Sequence, residues 1–353
     1  MLTRSELAGL ITRSGLSAET LESGDAWLTV VPELAARIMG VGIDEENAFW
    51  VAPDISRSWK EGGNPGGQRT WLAPEGGPSG FFFSSVGVWT VPEEIDPASY
   101  VPVPAADGGR SYRADMEARA ADGSRYSIAV TRSMSLEQRR SSWGSILLVR
   151  FRNELANRGS VRLDRRLGLW NLIQLPCDVE GIVFVAGGPS FRAYHGRLPT
   201  VNAGSSGRMA WMRVRGGSRF KAGMSPSDFG GTMGFVRRSR LGGSNEDALI
   251  LTAMAWDPDP SGTYVDLHPE SGPLASRNGD AAQVYGDAGT GDMAFCEVEA
   301  HAPAPLLGSG QSQSVDITIS VAKPPREGLA ACVSDLLGVE APPAGALAGR
   351  GKQ

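Results

Sequence analysis

Residues 292–320 constrain the fold of this chain more than any other stretch. Phe295, Glu297 and Glu299 alternate with Cys296, Val298 and Ala300, so a strand here has one small apolar face, which belongs to a core, and one face carrying both carboxylates. Pro303 and Pro305 cannot donate to a ladder and end that strand. Gly308 and Gly310 then supply a turn into a second strand at 314–321. His301 follows the carboxylates directly. Glu297, Glu299 and His301 form either an acid/base or sugar-binding cluster, or a solvated sheet face, since charged side chains ordinarily face water.

The remainder of the 353 residues repeats this β grammar: short apolar runs separated by clusters drawn from 46 glycines and 23 prolines. Alternation predicts strands at 26–31, 35–43 and 49–51, a hairpin from 111–120 and 125–132 about an Asp122-Gly123 turn, and further strands at 145–153, 161–175, 182–186, 208–214, 219–223, 231–238, 249–256 and 283–286. An extended stretch is expected at 264–268. Helices are expected only at the ends, at 2–21 with Ser5 and Ser17 as N-caps, and at 328–337 before a Pro/Gly/Ala tail at 339–353. The expected organisation is a helical prelude over 1–22, one β domain over 23–322, and a short helix with a flexible tail over 323–353.

Within the strands two places stand out. The glycine-rich block at 59–75 brings Arg69, Trp71 and Glu75 into one short segment: a forked donor, a flat apolar ring and a carboxylate, a set that suits a saccharide. It can equally be a hairpin in which Trp71 is core and Arg69 pairs with Glu75. In the strand ending at Leu175, Trp170, Leu172 and Gln174 share one face and Leu169, Asn171, Ile173 and Leu175 the other, so either Trp170 with Gln174, or Asn171, could line a cleft. Lys221 lies mid-strand and His195 in a loop or edge segment.

Several function classes are disfavoured. A net charge of −5 without a basic block argues against nucleic acid. No apolar run approaches the roughly 20 residues that span a bilayer. Three cysteines without CxxC spacing argue against a disulfide framework and fit a reducing compartment. The N-terminal residues lack a secretory h-region, so a cytoplasmic location is expected. His195, His268 and His301 match no zinc spacing, and no cofactor is expected.

Taken in order, four segments resemble the galactose mutarotase-like (aldose 1-epimerase-like) superfamily, in its uncharacterised bacterial carbohydrate-active branch: residues 28–38, the Gly-Gly-Gln-Arg-Thr-Trp-Leu-Ala-Pro-Glu block at 66–75, residues 153–170, and Phe-Cys-Glu-Val-Glu at 295–299 with its continuation. The resemblance implies an all-β antiparallel supersandwich whose concave face holds a mono- or oligosaccharide. It also implies a late glutamate acting as base, matching Glu297 or Glu299, opposite a histidine acid. This chain has no histidine near Trp170 and Asn171 where the family places one, so His195 or His301 would have to serve.

Three functions compete. The first is a glycoside hydrolase or lyase, with Glu75, Glu297, Glu299 and His301 as catalytic candidates. Arg69, Trp71, Trp170, Asn171, Lys221 and His195 would then hold the substrate. The second is a sugar epimerase, which needs His195 or His301 across the cleft from the glutamates. The third is a non-catalytic carbohydrate-binding sandwich whose charges pair with each other.

Overall fold

A computed structural model describes residues 2–60, 63–77, 79–84, 87–105, 108–239, 241, 248–266 and 278–342. The described residues form two ten-stranded antiparallel sheets. In the first the strands lie in the order β1 (Glu19–Ser23), β2 (Ala26–Val31), β3 (Arg37–Ile43), β5 (Gln68–Ala73), β10 (Gly168–Pro176), β19 (Phe295–His301), β18 (Ala282–Gly286), β15 (Phe220–Met224) and β12 (Arg192–His195), with β4 (Glu46–Asn47) added beside β3. The second runs β13 (Val201–Ala203), β14 (Met209–Val214), β11 (Gly181–Gly187), β16 (Phe229–Arg238), β17 (Leu249–Ala255), β20 (Ser312–Ala322), β9 (Gly144–Asn157), β8 (Arg125–Ser141), β7 (Arg110–Arg119) and β6 (Val101–Val103). This is the expected all-β supersandwich.

The core lies between the sheets, and alternation fills it. Cys296, Val298 and Ala300 of β19 meet Val315, Ile317, Ile319 and Val321 of β20 in one apolar cluster. A strand whose odd residues face away from that cluster must put them on the outer, concave face. Cross-strand register extends the same face over six strands. Gln174, Leu172 and Trp170 lie opposite Glu297, Glu299 and His301, and Trp71 and Arg69 opposite Trp170 and Leu172. On the other side Tyr285 and Gln283 pair with Glu297 and Glu299, Lys221 with Tyr285, and His195 with Lys221.

Two backbone features fix β5, which carries Arg69 and Trp71. Gly66 and Gly67 adopt φ of 97° and 78°. A Cβ there would lie 2.5 Å from the Trp50 carbonyl oxygen and 2.4 Å from that of Ile38, so only glycine lets the loop enter the sheet so closely. Ala35 and Ala36 also take positive φ, 57° and 46°, and their carbonyls accept hydrogen bonds from Arg132 Nη1 at 2.9 and 2.8 Å. Arg132 reaches them from β8 in the opposite sheet. Burial lowers its pKa to about 10, which still leaves it charged at neutral pH.

The structure departs from the sequence reading in local ways. The first helix, α1, spans only Arg4–Arg13 and is capped by Thr3, not Ser5: Thr3 Oγ1 accepts from the Glu6 backbone N–H at 3.1 Å and the Glu6 carboxylate from that of Thr3 at 2.7 Å. Gly15, with φ of 74°, follows it, and Glu19 onward is strand β1 rather than a second helical turn. The strand expected from 35 begins at Arg37 because of the left-handed pair before it. Residues 49–51 make only an isolated bridge, Val51 to Gly66. The strand expected over 161–175 starts at Gly168. The C-terminal helix is Leu329–Leu337, ended by Gly338 at φ 62°. The expected stretches at 264–268 and 339–353 lie partly outside the described residues. No described helix is long and apolar enough to cross a membrane.

Candidate functional site

A cavity of about 520 Å³ opens on the concave face of the first sheet, a size suited to a small organic ligand. Glu297 and Glu299 of β19 lie on its floor, Trp71 and Trp170 form one wall, and Lys221, Tyr285 and His195 lie toward the other. Both glutamates face it because they sit two apart on one strand whose intervening Val298 is core.

Two cations thread four carboxylates. The Lys221 ammonium hydrogen-bonds Glu75 Oε2 at 2.9 Å and lies 3.5 Å from Glu299 Oε2 and 4.0 Å from Asp266 Oδ2. It also sits 4.6 Å over the Trp170 ring. Arg69 donates through Nη1 to Asn64 Oδ1 at 2.7 Å and through Nη2 to Glu297 Oε1 at 3.2 Å, its guanidinium 3.9 Å over the Trp71 ring. Glu297 Oε1 also accepts from Gln174 Nε2 at 2.6 Å, and Trp170 Nε1 donates to Glu299 Oε2 at 2.8 Å. Behind Trp71, Asp96 Oδ2 accepts from the indole N–H at 2.8 Å while ion-paired with buried Arg37. The aromatic wall is therefore held by hydrogen bonds as well as by packing.

More negative than positive charge in a dry place makes the site retain a proton. Burial drives the Glu299 carboxyl up to about 8; Lys221 pulls the other way, and the charges of Glu297, Glu75 and Asp266 push with the burial. Glu297 is raised too, chiefly by burial, against the pull of Arg69 and Gln174. Burial would also raise Asp266, but Lys221 first, then His301, the Gln283 amide and the Glu75 backbone N–H outweigh it and hold that carboxyl below its usual range. Burial likewise opposes charge on Lys221, yet Glu299, Glu75 and Asp266 keep its pKa above the ordinary lysine range. Glu299 Oε1 is buried and has no hydrogen-bond partner among the described residues. Protonated, it is a donor with no acceptor among those residues.

The predicted residues sort as follows. Glu75, Glu297, Glu299, Arg69, Trp71, Trp170, Lys221 and His195 all line the cavity. The Arg69–Glu75 pair of the alternative hairpin reading is not made: Arg69 takes Glu297, and Glu75 takes Lys221. Asn171 is corrected. It points into the inter-sheet core, where its Oδ1 accepts from Thr70 Oγ1 at 2.8 Å and from Asn153 Nδ2 at 2.6 Å, tying the sheets together. His301 is corrected as well. It shares the face of the glutamates but is 2% exposed, stacked behind Trp170 with ring centroids 5.6 Å apart, and does not line the cavity. Burial pushes its imidazole down to about 4, so it is neutral at pH 7. His195 stands exposed at the rim, on β12, three strands from the glutamates. Its pKa is lowered by burial and by Arg219 and Lys221. Sequence reasoning missed Asp266, Asp96 and Trp89 as site residues. All three come from irregular segments that carry no periodicity, and only an aromatic within a Pro/Gly-rich excursion could have flagged Trp89.

Among the described residues no set of three or more His, Cys, Asp or Glu side chains is arranged to hold a metal ion. Lys221 already occupies the position between three of the carboxylates.

A family model described as a family of unknown function, DUF6786, matches residues 12–342. The chain belongs to DUF6786. No curated protein matches it. Its architecture is that of galactose mutarotase-like proteins. The DUF6786 chain superposes on a protein of Synechocystis with a TM-score of 0.54 at 11% identity, covering 87% of this chain and 96% of that one. A candidate aldose 1-epimerase of Escherichia coli gives 0.51 at 13%, covering 88% and 100%. A galactose mutarotase-like protein of Lactobacillus casei gives 0.50 at 9%, covering 87% and 100%. At these identities the likeness is one of fold, and function has to be argued from the site.

Proposed function

We propose that this DUF6786 protein is a carbohydrate-active enzyme that cleaves a glycosidic bond by carboxylate acid/base chemistry in the concave cleft. The reading rests on Glu299, a carboxyl kept protonated by burial on the cavity floor, with its Oε1 unpartnered, next to Glu297, whose charged form Arg69 and Gln174 stabilise. A protonated carboxyl beside an ionised one is the requirement for protonating a leaving oxygen while a base activates water. Glu299 is the acid and Glu297 the base. Their backbone origins lie about 7 Å apart, two residues along a strand. Trp71 and Trp170, whose ring faces Arg69 and Lys221 cover, wall the site, and Lys221 with Glu75 would hold the sugar's hydroxyls.

Elimination from a uronate has less support, because Arg69 and Lys221, the cations beside the two glutamates, are already paired, and Arg219, which also borders the cavity, lies near His195. Histidine-based epimerisation fits less well for the reasons of geometry above: His301 lies behind Trp170, and His195 lies three strands away. A second reading, a non-catalytic sugar-binding sandwich, draws on the same mutual pairing of charges.

The test is a screen for released reducing ends and for unsaturated-uronate absorbance against a panel of oligosaccharides, using the protein and its Glu297→Gln and Glu299→Gln variants. Hydrolysis should fall by about 10²–10⁴-fold in either variant, the usual share of a general acid or base. Binding without turnover in all three proteins would overturn the enzyme reading in favour of the binding sandwich.

A further inference from the structure

The cleft does not end at the carboxylates. A second cavity of about 680 Å³ opens beside the first, and Trp59, Trp89, Val91, Asp96 and Pro97 line both. Two cavities that share a wall of this length form one groove, larger than a single sugar ring fills. Its outer part is also lined by Lys60, Thr90 and Glu93, which do not border the first cavity.

Trp89 is the informative residue. It is 45% exposed, yet its ring is fixed: Nε1 donates to Glu75 Oε1 at 3.1 Å, and one face stacks on Phe82 with centroids 6.4 Å apart and planes 21° off parallel. An indole immobilised in this way while still open to solvent offers a stacking surface whose ordering cost is already met. Its anchor, Glu75, is the carboxylate that Lys221 binds on the cavity floor, so the outer platform and the inner site are joined by one chain of hydrogen bonds.

We infer that the substrate is an oligosaccharide rather than a single sugar. One ring lies over Glu297 and Glu299. The next stacks on Trp89 against the wall made by Trp59, its hydroxyls meeting Lys60, Thr90 and Glu93. This rests on the carbohydrate reading above and adds the length of the substrate to it.

Ladders of gluco-, galacto- and manno-oligosaccharides, from the monosaccharide upward, titrated into the full chain with calorimetry and tryptophan fluorescence, test the inference. In the ladder that binds, affinity should rise about tenfold from one ring to two or three, the size of one aromatic stacking contact. Thr90→Arg fills the outer cavity from an exposed position that does not border the inner one. It should bring the oligosaccharide down to the affinity of the monosaccharide and leave the latter unchanged, and Glu93→Ala, at a residue that borders only the outer part, should lower the oligosaccharide's affinity alone. Equal affinity for monomer and oligomer in the unmodified protein, a length step that survives Thr90→Arg, or equal losses for both sugars would overturn the inference alone. No binding of any sugar would overturn the carbohydrate reading itself.

Discussion

Replacing Glu299 by Gln tests the electrostatic core of the site, because glutamine copies the shape of a protonated carboxyl and cannot titrate. Two forces compete at Glu299: burial and three neighbouring carboxylates favour the proton, while the Lys221 ammonium, 3.5 Å away, favours its release. With the native carboxyl raised to about 8, the folded state keeps a proton that the unfolded chain gives up near the ordinary glutamate range. The unfolded state then binds fewer protons, so stability is full at low pH and declines as pH rises toward 8. At up to 1.36 kcal/mol per pH unit, this one group costs the protein on the order of 3 kcal/mol between about pH 5 and about pH 7.5. Glu299→Gln should remove that slope. It keeps an acceptor for the Trp170 indole, which donates to Glu299 Oε2 at 2.8 Å, so the variant should match the unmodified protein at pH 5 and exceed it at pH 7.5. Urea unfolding at both pH values, compared as a double difference so that titrations common to both proteins cancel, reads the effect directly. Parallel pH dependence in the two proteins, or a variant destabilised at pH 7.5, would mean that Lys221 wins and Glu299 is ionised, and the acid assigned to it would be lost.

Other perturbations follow from the same contacts. Lys221→Met leaves Glu75, Asp266 and Glu299 without their shared cation, and should destabilise the fold by about 3–5 kcal/mol at neutral pH, with partial recovery in acid seen by thermal melting. His301→Phe preserves a ring behind Trp170 but cannot be protonated. Because the imidazole is pushed down to about 4, its contribution to stability is present above its ordinary pKa and is lost as pH falls through 4, and the variant should flatten that acid limb in urea titrations. Arg132→Leu removes the donor shared by the Ala35 and Ala36 carbonyls and should cost at least about 3 kcal/mol in denaturant unfolding, the penalty for leaving buried partners unpaired.

Much of the fold was legible locally. Alternation over 295–300 named a strand and its core face, since a period of two depends only on neighbouring residues, and the glycine turn after it placed the next strand at 314–321. Helix limits were less legible: Ser5 was the expected cap, and the box made by Thr3 and Glu6 caps the helix instead. The strand assignments failed where long-range contacts override local pattern, as at Ala35 and Ala36, held left-handed by an arginine from the other sheet.

For the site, sequence by itself determined which chemical groups were at hand: paired glutamates on one strand face, an arginine and a tryptophan two apart on another, and a lysine in a third. Only the tertiary structure decided what they do. Register turned Trp170 to the cleft and Asn171 to the core. Folding brought Lys221 to Glu75 across 146 residues and Arg69 to Glu297 across 228, and set Asp266 and Trp89 beside them from segments without a pattern. A pKa is a property of surroundings rather than of a side chain, so the proton on Glu299 belongs to the burial and the charges assembled around it, and these exist only once the sheets have closed.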